Sequence, residues 1–217
     1  MRRLATLFFL ASLGASRLPA VPRGEDDALL RAETLLEKKD YKKAEAALRE
    51  VVASEPTNAR AHGDLALALL SQGKTREAVD EARLAAAFGP ETPEARYIYG
   101  LALKADRRPL EASRELEKAI ALKPGPTPPL RALAEVYAEA GDGRAAETYA
   151  RLIEREPAVV ADRAALAEFL WASGQPARGN EVLEEALGRF PGDRDLQLRY
   201  GRALVEQERF LDGAQQL

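Results

Sequence analysis

A chain of 217 residues is long enough for one ordinary domain or a repeat array of the same mass, and 46% hydrophobic with 31% charged residues excludes a disordered composition. Ala, Leu, Glu and Arg dominate while aromatic residues make up only 6%, which favours helix. A net charge of −3 leaves no basic excess for a phosphate backbone, so nucleic acid is not an expected partner. The absence of cysteine excludes disulfides, thiolate metal sites and cysteine nucleophiles, and His62 carries all the imidazole chemistry available.

Residues 1–20, MRRLATLFFLASLGASRLPA, place Arg2 and Arg3 before an apolar run from Leu4 to Ala15, with Ala15, Ser16 and Ala20 as small cleavage positions. This is the layout of a secretory signal peptide, followed by a short linker at 21–24. The expected localisation is exported, periplasmic or secreted, with no membrane insertion after cleavage. The alternative is a membrane anchor formed by an uncleaved N-terminal segment, although the run falls short of the roughly 20 residues that span a bilayer. The run is apolar on every face, which disfavours an amphipathic transit peptide, and no cysteine follows it to carry a lipid. Cleavage would remove Arg2, Arg3 and Arg17 and take the net charge from −3 to about −6.

From residue 25 the chain is periodic. Pro56, Pro90, Pro124, Pro157 and Pro191 are spaced 34, 34, 33 and 34 apart. Two rows of small residues keep the same register: Ala32, Ala66, Gly100, Ala134, Ala167 and Gly201, then Ala44, Ala78, Ala112, Ala145, Gly179 and Gly213. One residue is missing between Ala134 and Ala145, where Gly141-Asp142-Gly143 signals a turn that tolerates a deletion. Each unit reads as two helices. In the second, a helix over about 60–71 is broken at Gln72-Gly73-Lys74, and a second helix over 75–88 ends at Gly89-Pro90. The units fall at about 25–58, 59–92, 93–126, 127–159, 160–193 and an incomplete 194–217. Small residues let the paired helices approach closely. Larger ones fill the gaps between units: Leu65, Tyr99, Leu133, Leu166 and Tyr200 in one row, Leu48, Leu116, Tyr149, Leu183 and Leu217 in another.

Period, small rows and closing proline together resemble the tetratricopeptide repeat family, as does the Asp40-Tyr41-Lys42-Lys43-Ala44 turn and helix start. Glu208-Arg209-Phe210 looks like a variant of that start, so the resemblance covers residues 25–217. It implies an all-α fold, a tetratricopeptide-like α-solenoid of antiparallel helix hairpins wound as a right-handed superhelix. One departure is plain. The bulky residue the family carries at the fourth position of the first helix is replaced by Ala28, His62, Arg96, Leu130, Arg163 and Gln197. Gly179 and Gly213 also stand where alanine is usual, so their units either loosen or pack unusually close.

The resemblance further implies a concave groove lined by the first helices. The groove positions are Leu67, Leu70, Tyr97, Leu101, Lys104, Arg131, Glu135, Glu168, Trp171, Leu198 and Arg202. Apolar and aromatic anchors with a few charges suit an extended peptide or a partner helix, although Tyr97 and Trp171 are equally compatible with packing between helices. The Lys and Asn clamp with which some family members hold a chaperone tail is absent, since its positions carry Leu29, Glu33, Gly63, Asp64, Glu94 and Ile98.

No catalytic, metal or cofactor site is expected. Ser71-Gln72-Gly73-Lys74 fits a Ser-x-x-Lys pattern but lies in an inter-helix turn without the partner motifs. His62 has no companion ligands and reads as a surface or packing residue. The expected function is a non-catalytic protein–protein interaction scaffold or adaptor of an exported envelope complex. The alternatives are the N-terminal repeat region of a longer or truncated protein whose activity lies beyond Leu217, and a repeat-scaffolded enzyme. The open sixth unit would also permit self-association.

Overall fold

The computed structural model describes residues 23–207, and these residues form eleven helices and no strand. They run in pairs: α1 (Arg23–Glu37) with α2 (Tyr41–Ser54), α3 (Ala59–Ser71) with α4 (Thr75–Phe88), and α5 (Pro93–Ala105) with α6 (Pro109–Leu122). Then follow α7 (Thr127–Glu139), α8 (Arg144–Arg155), α9 (Val160–Ala172), α10 (Pro176–Arg189) and α11 (Arg194–Glu206). The signal-peptide expectation and the open end of the sixth unit fall at 1–20 and 208–217, outside the described residues. Among the described residues no helix is long and apolar enough to cross a membrane.

The periodic sequence acts first through the turns. Lys39, Gly73, Arg107, Gly141 and Gly174 all have positive φ, between 58 and 76°. The residue after each returns its N–H to the carbonyl five positions back: Asp40 to Leu35, Lys74 to Leu69, Arg108 to Leu103, Asp142 to Tyr137 and Gln175 to Leu170, at 2.8 to 3.0 Å. This left-handed residue with its backward bond closes the first helix of each pair and satisfies carbonyls that would otherwise be orphaned. It also locates the deletion. Five positions separate the positive-φ residue from the second-helix small residue in the hairpins at Lys39, Gly73, Arg107 and Gly174, and four separate Gly141 from Ala145. The missing residue therefore lies in the turn after Gly141.

The chain divides into two compact units between Ala132 and Leu133. In the first, Ala32, Ala44, Leu48, Leu65, Leu69 and Ala78 form a closed core in which the small rows are fully buried. Gly100 shows why that row must stay small, because a Cβ there would lie 2.6 Å from Leu116 Cγ. In the second unit Ala167, Leu183, Ala186, Leu196, Tyr200 and Leu204 pack together. Gly179 answers the question its sequence poses: its unit packs close, since a Cβ would sit 2.5 Å from two atoms of the Trp171 indole. Of the expected large rows Tyr99 stays partly exposed. Two buried rows were not foreseen: Leu69, Leu103, Tyr137, Leu170 and Leu204, and Val51, Ala85, Ala119, Leu152 and Ala186. Each buried leucine contributes about 1.5–3 kcal/mol over its exposed state.

Candidate functional site

Each repeat is joined to the next through its closing proline. Asn58, Thr92, Val159 and Asp193 donate their N–H to the carbonyl three residues back, all at 3.0 Å, forming a turn with proline at its second position. Four replacements at the missing bulky position then explain themselves. His62 Nε2 lies 3.0 Å from the Pro56 carbonyl, Arg96 Nε donates to Pro90 at 3.2 Å, Arg163 Nη1 to Pro157 at 2.8 Å and Gln197 Nε2 to Pro191 at 2.9 Å. Each side chain reaches back six residues and latches the loop from which its helix emerges. His62 and Arg96 also meet the second helix, at Glu81 Oε2 (2.6 Å) and Glu115 Oε2 (2.9 Å). His62 is thus a buried packing residue, its ring centroid 5.5 Å from that of Phe88. The α6–α7 connection differs: Leu130 has no polar hydrogen to give and Pro126 has no N–H.

The inter-helix turn absorbs the Ser-x-x-Lys pattern. Lys74 Nζ lies 2.8 Å from both carboxylate oxygens of Glu45, and Gln72 Nε2 donates to Glu45 Oε2 at 2.6 Å. Ser71 is exposed at the end of α3. In the second unit the equivalent place holds Asn180, which accepts from Trp171 Nε1 at 3.0 Å and donates to Gln207 at 3.0 Å.

On the first helices of the first unit a cavity of about 320 Å³ opens between α3 and α5, lined by Arg60, Gly63, Asp64, Glu94, Ala95 and Ile98 among others. Asp64 is 4% exposed and its Oδ2 has no hydrogen-bond partner. Burial, reinforced by the charge of Glu33 and opposed by Arg60, pushes its carboxyl up to about 7. Glu94 Oε1 is likewise buried without a hydrogen bond, with Lys123 Nζ 4.0 Å away. Arg60 Nη2 lies 2.6 Å from Glu33 Oε1 but off a hydrogen-bonding direction, and burial raises the Glu33 carboxyl as well. In the sequence Glu33, Asp64 and Glu94 stand only where a basic clamp is missing, and nothing there signals that Asp64 meets the charge of Glu33 and shares a cavity with Glu94.

Leu67 and Leu101, one helical turn along from the cavity-lining Asp64 and Ile98, are partly exposed, as are Lys104 and Leu70, the last packed against the core of the first unit. Tyr97 is 8% exposed and offers little to a ligand as it stands. Arg131 and Glu135 are partly buried. In the second unit Glu168, Leu198 and Arg202 are exposed, and Arg199 pairs with both Glu168 and Asp195. Trp171 is half-buried, with its ring on Gly179 and its N–H spent on Asn180. Among the described residues no group of three or more His, Cys, Asp or Glu could hold a metal ion.

Tetratricopeptide repeat models match residues 35–102 and 159–203, together just over half of the chain. No curated protein matches it. Among solved structures, PilW, a widely conserved type IV pilus biogenesis factor, is similar with a TM-score of 0.77 at 19% identity, over 90% of this chain and 91% of its own. PilF of Pseudomonas aeruginosa gives 0.69 at 19% identity, over 88% of each chain. YrrB, a tetratricopeptide repeat protein with an unusual peptide-binding site, gives 0.66 at 18% identity, over 83% of this chain and 90% of its own. At these identities the likeness is one of fold. With its repeat models, turns and small-residue rows in register, the chain belongs to the tetratricopeptide repeat family.

Proposed function

We propose that the chain is a non-catalytic scaffold that holds a peptide or helix of a protein partner in the groove of its first helices, and that it works outside the cytoplasm in an envelope complex. One observation carries the binding part. In the first unit the core rows are buried, while Leu67 and Leu101, one helical turn along from the cavity-lining Asp64 and Ile98, remain partly exposed next to a cavity of about 320 Å³. Apolar anchors beside a concave polar pocket are what an extended peptide or amphipathic helix requires. YrrB, a tetratricopeptide repeat protein with a peptide-binding site, gives the fold a precedent for the binding part. Export rests on Arg2, Arg3, the apolar run to Ala15 and the small residues up to Ala20.

Photo-cross-linking in the cell tests the groove. A photoreactive residue at Leu67 or Leu101 should capture a discrete partner, and one at exposed Arg114 or Arg151 on the second helices should not. Equal capture from both sets would remove the groove assignment. Fractionation tests export separately: the chain should be reached by protease added to spheroplasts, and protection there would place it inside.

A further inference from the structure

The cavity between α3 and α5 has an unmatched polarity. Asp64 is 4% exposed, lines the cavity and leaves Oδ2 without a hydrogen bond. A buried carboxylate oxygen without a donor is destabilising, so its retention calls for a compensating partner. The protein supplies little. Arg60 is drawn to Glu33 at 2.6 Å and its side chain is 67% exposed, and Lys123 stands 4.0 Å from Glu94. Glu94 Oε1 repeats the pattern from α5, so both walls present buried acceptor oxygens that lack hydrogen bonds. The remaining lining comprises Arg60, the hydroxyl-bearing Thr92 and the apolar Ala59, Ala95 and Ile98, and Gly63 adds no side chain.

A ligand that fits must bring N–H donors and positive charge at one end and a methylene stem at the other. A metal ion does not meet this description, since no cluster of suitable ligands exists among the described residues. We propose that this cavity is the subsite for a basic side chain, lysine or arginine, of the partner peptide, with Asp64 and Glu94 receiving its charged head and Ala95 and Ile98 its stem. The inference rests on the groove reading and gives it an anchor. A long basic side chain suits such a site because its stem packs on apolar surface while its head is paired.

The charged groups around Asp64 are Arg60 on its own helix, Glu33 on α1 with Glu37 beyond it, and Glu94 on α5 with Lys123 behind it. An arriving cation favours the ionised form of Asp64, whose carboxyl is otherwise held at about 7, so affinity rises as pH goes from 6 to 8.

The test pans the full chain against a display library of random linear peptides. Enriched peptides are then resynthesised with both ends blocked. The expected result is a shared lysine or arginine, whose replacement by norleucine or citrulline weakens binding by roughly tenfold or more. Asp64→Asn should cause a similar loss while melting no lower than the parent, and the two changes together should cost little more than either alone. Peptides with no shared basic residue that ignore Asp64→Asn but are lost on Leu101→Asp would overturn the subsite and leave the groove standing. Enrichment of no peptide, or binding indifferent to both substitutions, would overturn both.

Discussion

Glu45 on α2 and Asp64 on α3 are both 4% exposed, yet the fold treats them in opposite ways. Glu45 sits at the turn end of its hairpin, where the repeat delivers donors: Gln72 at 2.6 Å, Lys74 at 2.8 Å and Arg49 at 2.5 Å. Hydrogen bonds from Lys74 and Gln72, with the charge of Arg49, hold its carboxyl below the ordinary range despite burial. Asp64 lines the cavity between α3 and α5 and receives nothing on Oδ2, so burial dominates and its carboxyl rises to about 7. A carboxylate supplied with donors ties the hairpins together. A carboxylate with one buried oxygen left unbonded weakens the fold, and a carboxyl perturbed in this way within a cleft marks a candidate site.

The largest effect should come from Asp64→Asn. Its folded pKa lies above the unfolded value of 3.8, so the folded state holds the proton more tightly. Wild-type stability therefore declines as pH rises from about 4 to about 7 and stays at the lower level above that. Asparagine removes the decline. At pH 8 the variant should be more stable by on the order of 3 kcal/mol, and near pH 4 the difference should almost vanish. Urea unfolding at both pH values measures it, and parallel stability profiles for the two proteins would erase the contrast with Glu45.

Glu45→Ala should move stability the other way, by about 2 kcal/mol at pH 7, because Gln72 and Lys74 lose their shared acceptor. Its contribution exists above the unfolded pKa of about 4.5 and is lost as pH falls through the depressed folded value. The penalty should thus shrink in acid, where that of Asp64 also disappears. Thermal melts from pH 3 to pH 7 would show it, and a penalty that did not change with pH would mean that packing alone, not the donors, accounts for Glu45.

Much of the fold is legible in the sequence because it depends on residue size and backbone geometry, and both repeat. Ala32, Ala66, Ala134 and Ala167 are fully buried, as their spacing demands. The missing residue was assignable to a turn, and only the positive-φ series narrows it to the stretch after Gly141. What stayed hidden was polar convergence. His62, Arg96, Arg163 and Gln197 read as a lost bulky row, since nothing in their diverse chemistry says that all four reach a carbonyl six residues back. The shared offset from Pro56, Pro90, Pro157 and Pro191 was the available signal. Asp64 and Glu94 were hidden for a similar reason: they are thirty positions apart in sequence and meet only when α3 and α5 lie side by side.

The latch allows the same lesson at smaller scale, with one bond in two settings. Arg163 is 3% exposed and donates to Pro157 at 2.8 Å, and its guanidinium also lies 5.7 Å from the Phe190 ring centre. Gln197 makes the equivalent bond to Pro191 at 2.9 Å in an exposed place. Replacing either with leucine removes the donor and keeps the bulk. The Arg163 bond is partly buried and its side chain almost wholly so, and Arg163→Leu should cost about 1.5 kcal/mol. At Pro191 water can take the place of the amide, and Gln197→Leu should cost about 0.5 kcal/mol. Chemical denaturation of the two variants measures the difference. Equal losses would show that the value of a latch lies in the loop geometry it enforces; unequal losses in this order would show that burial sets the worth of a donor here, as it sets the fates of Glu45 and Asp64.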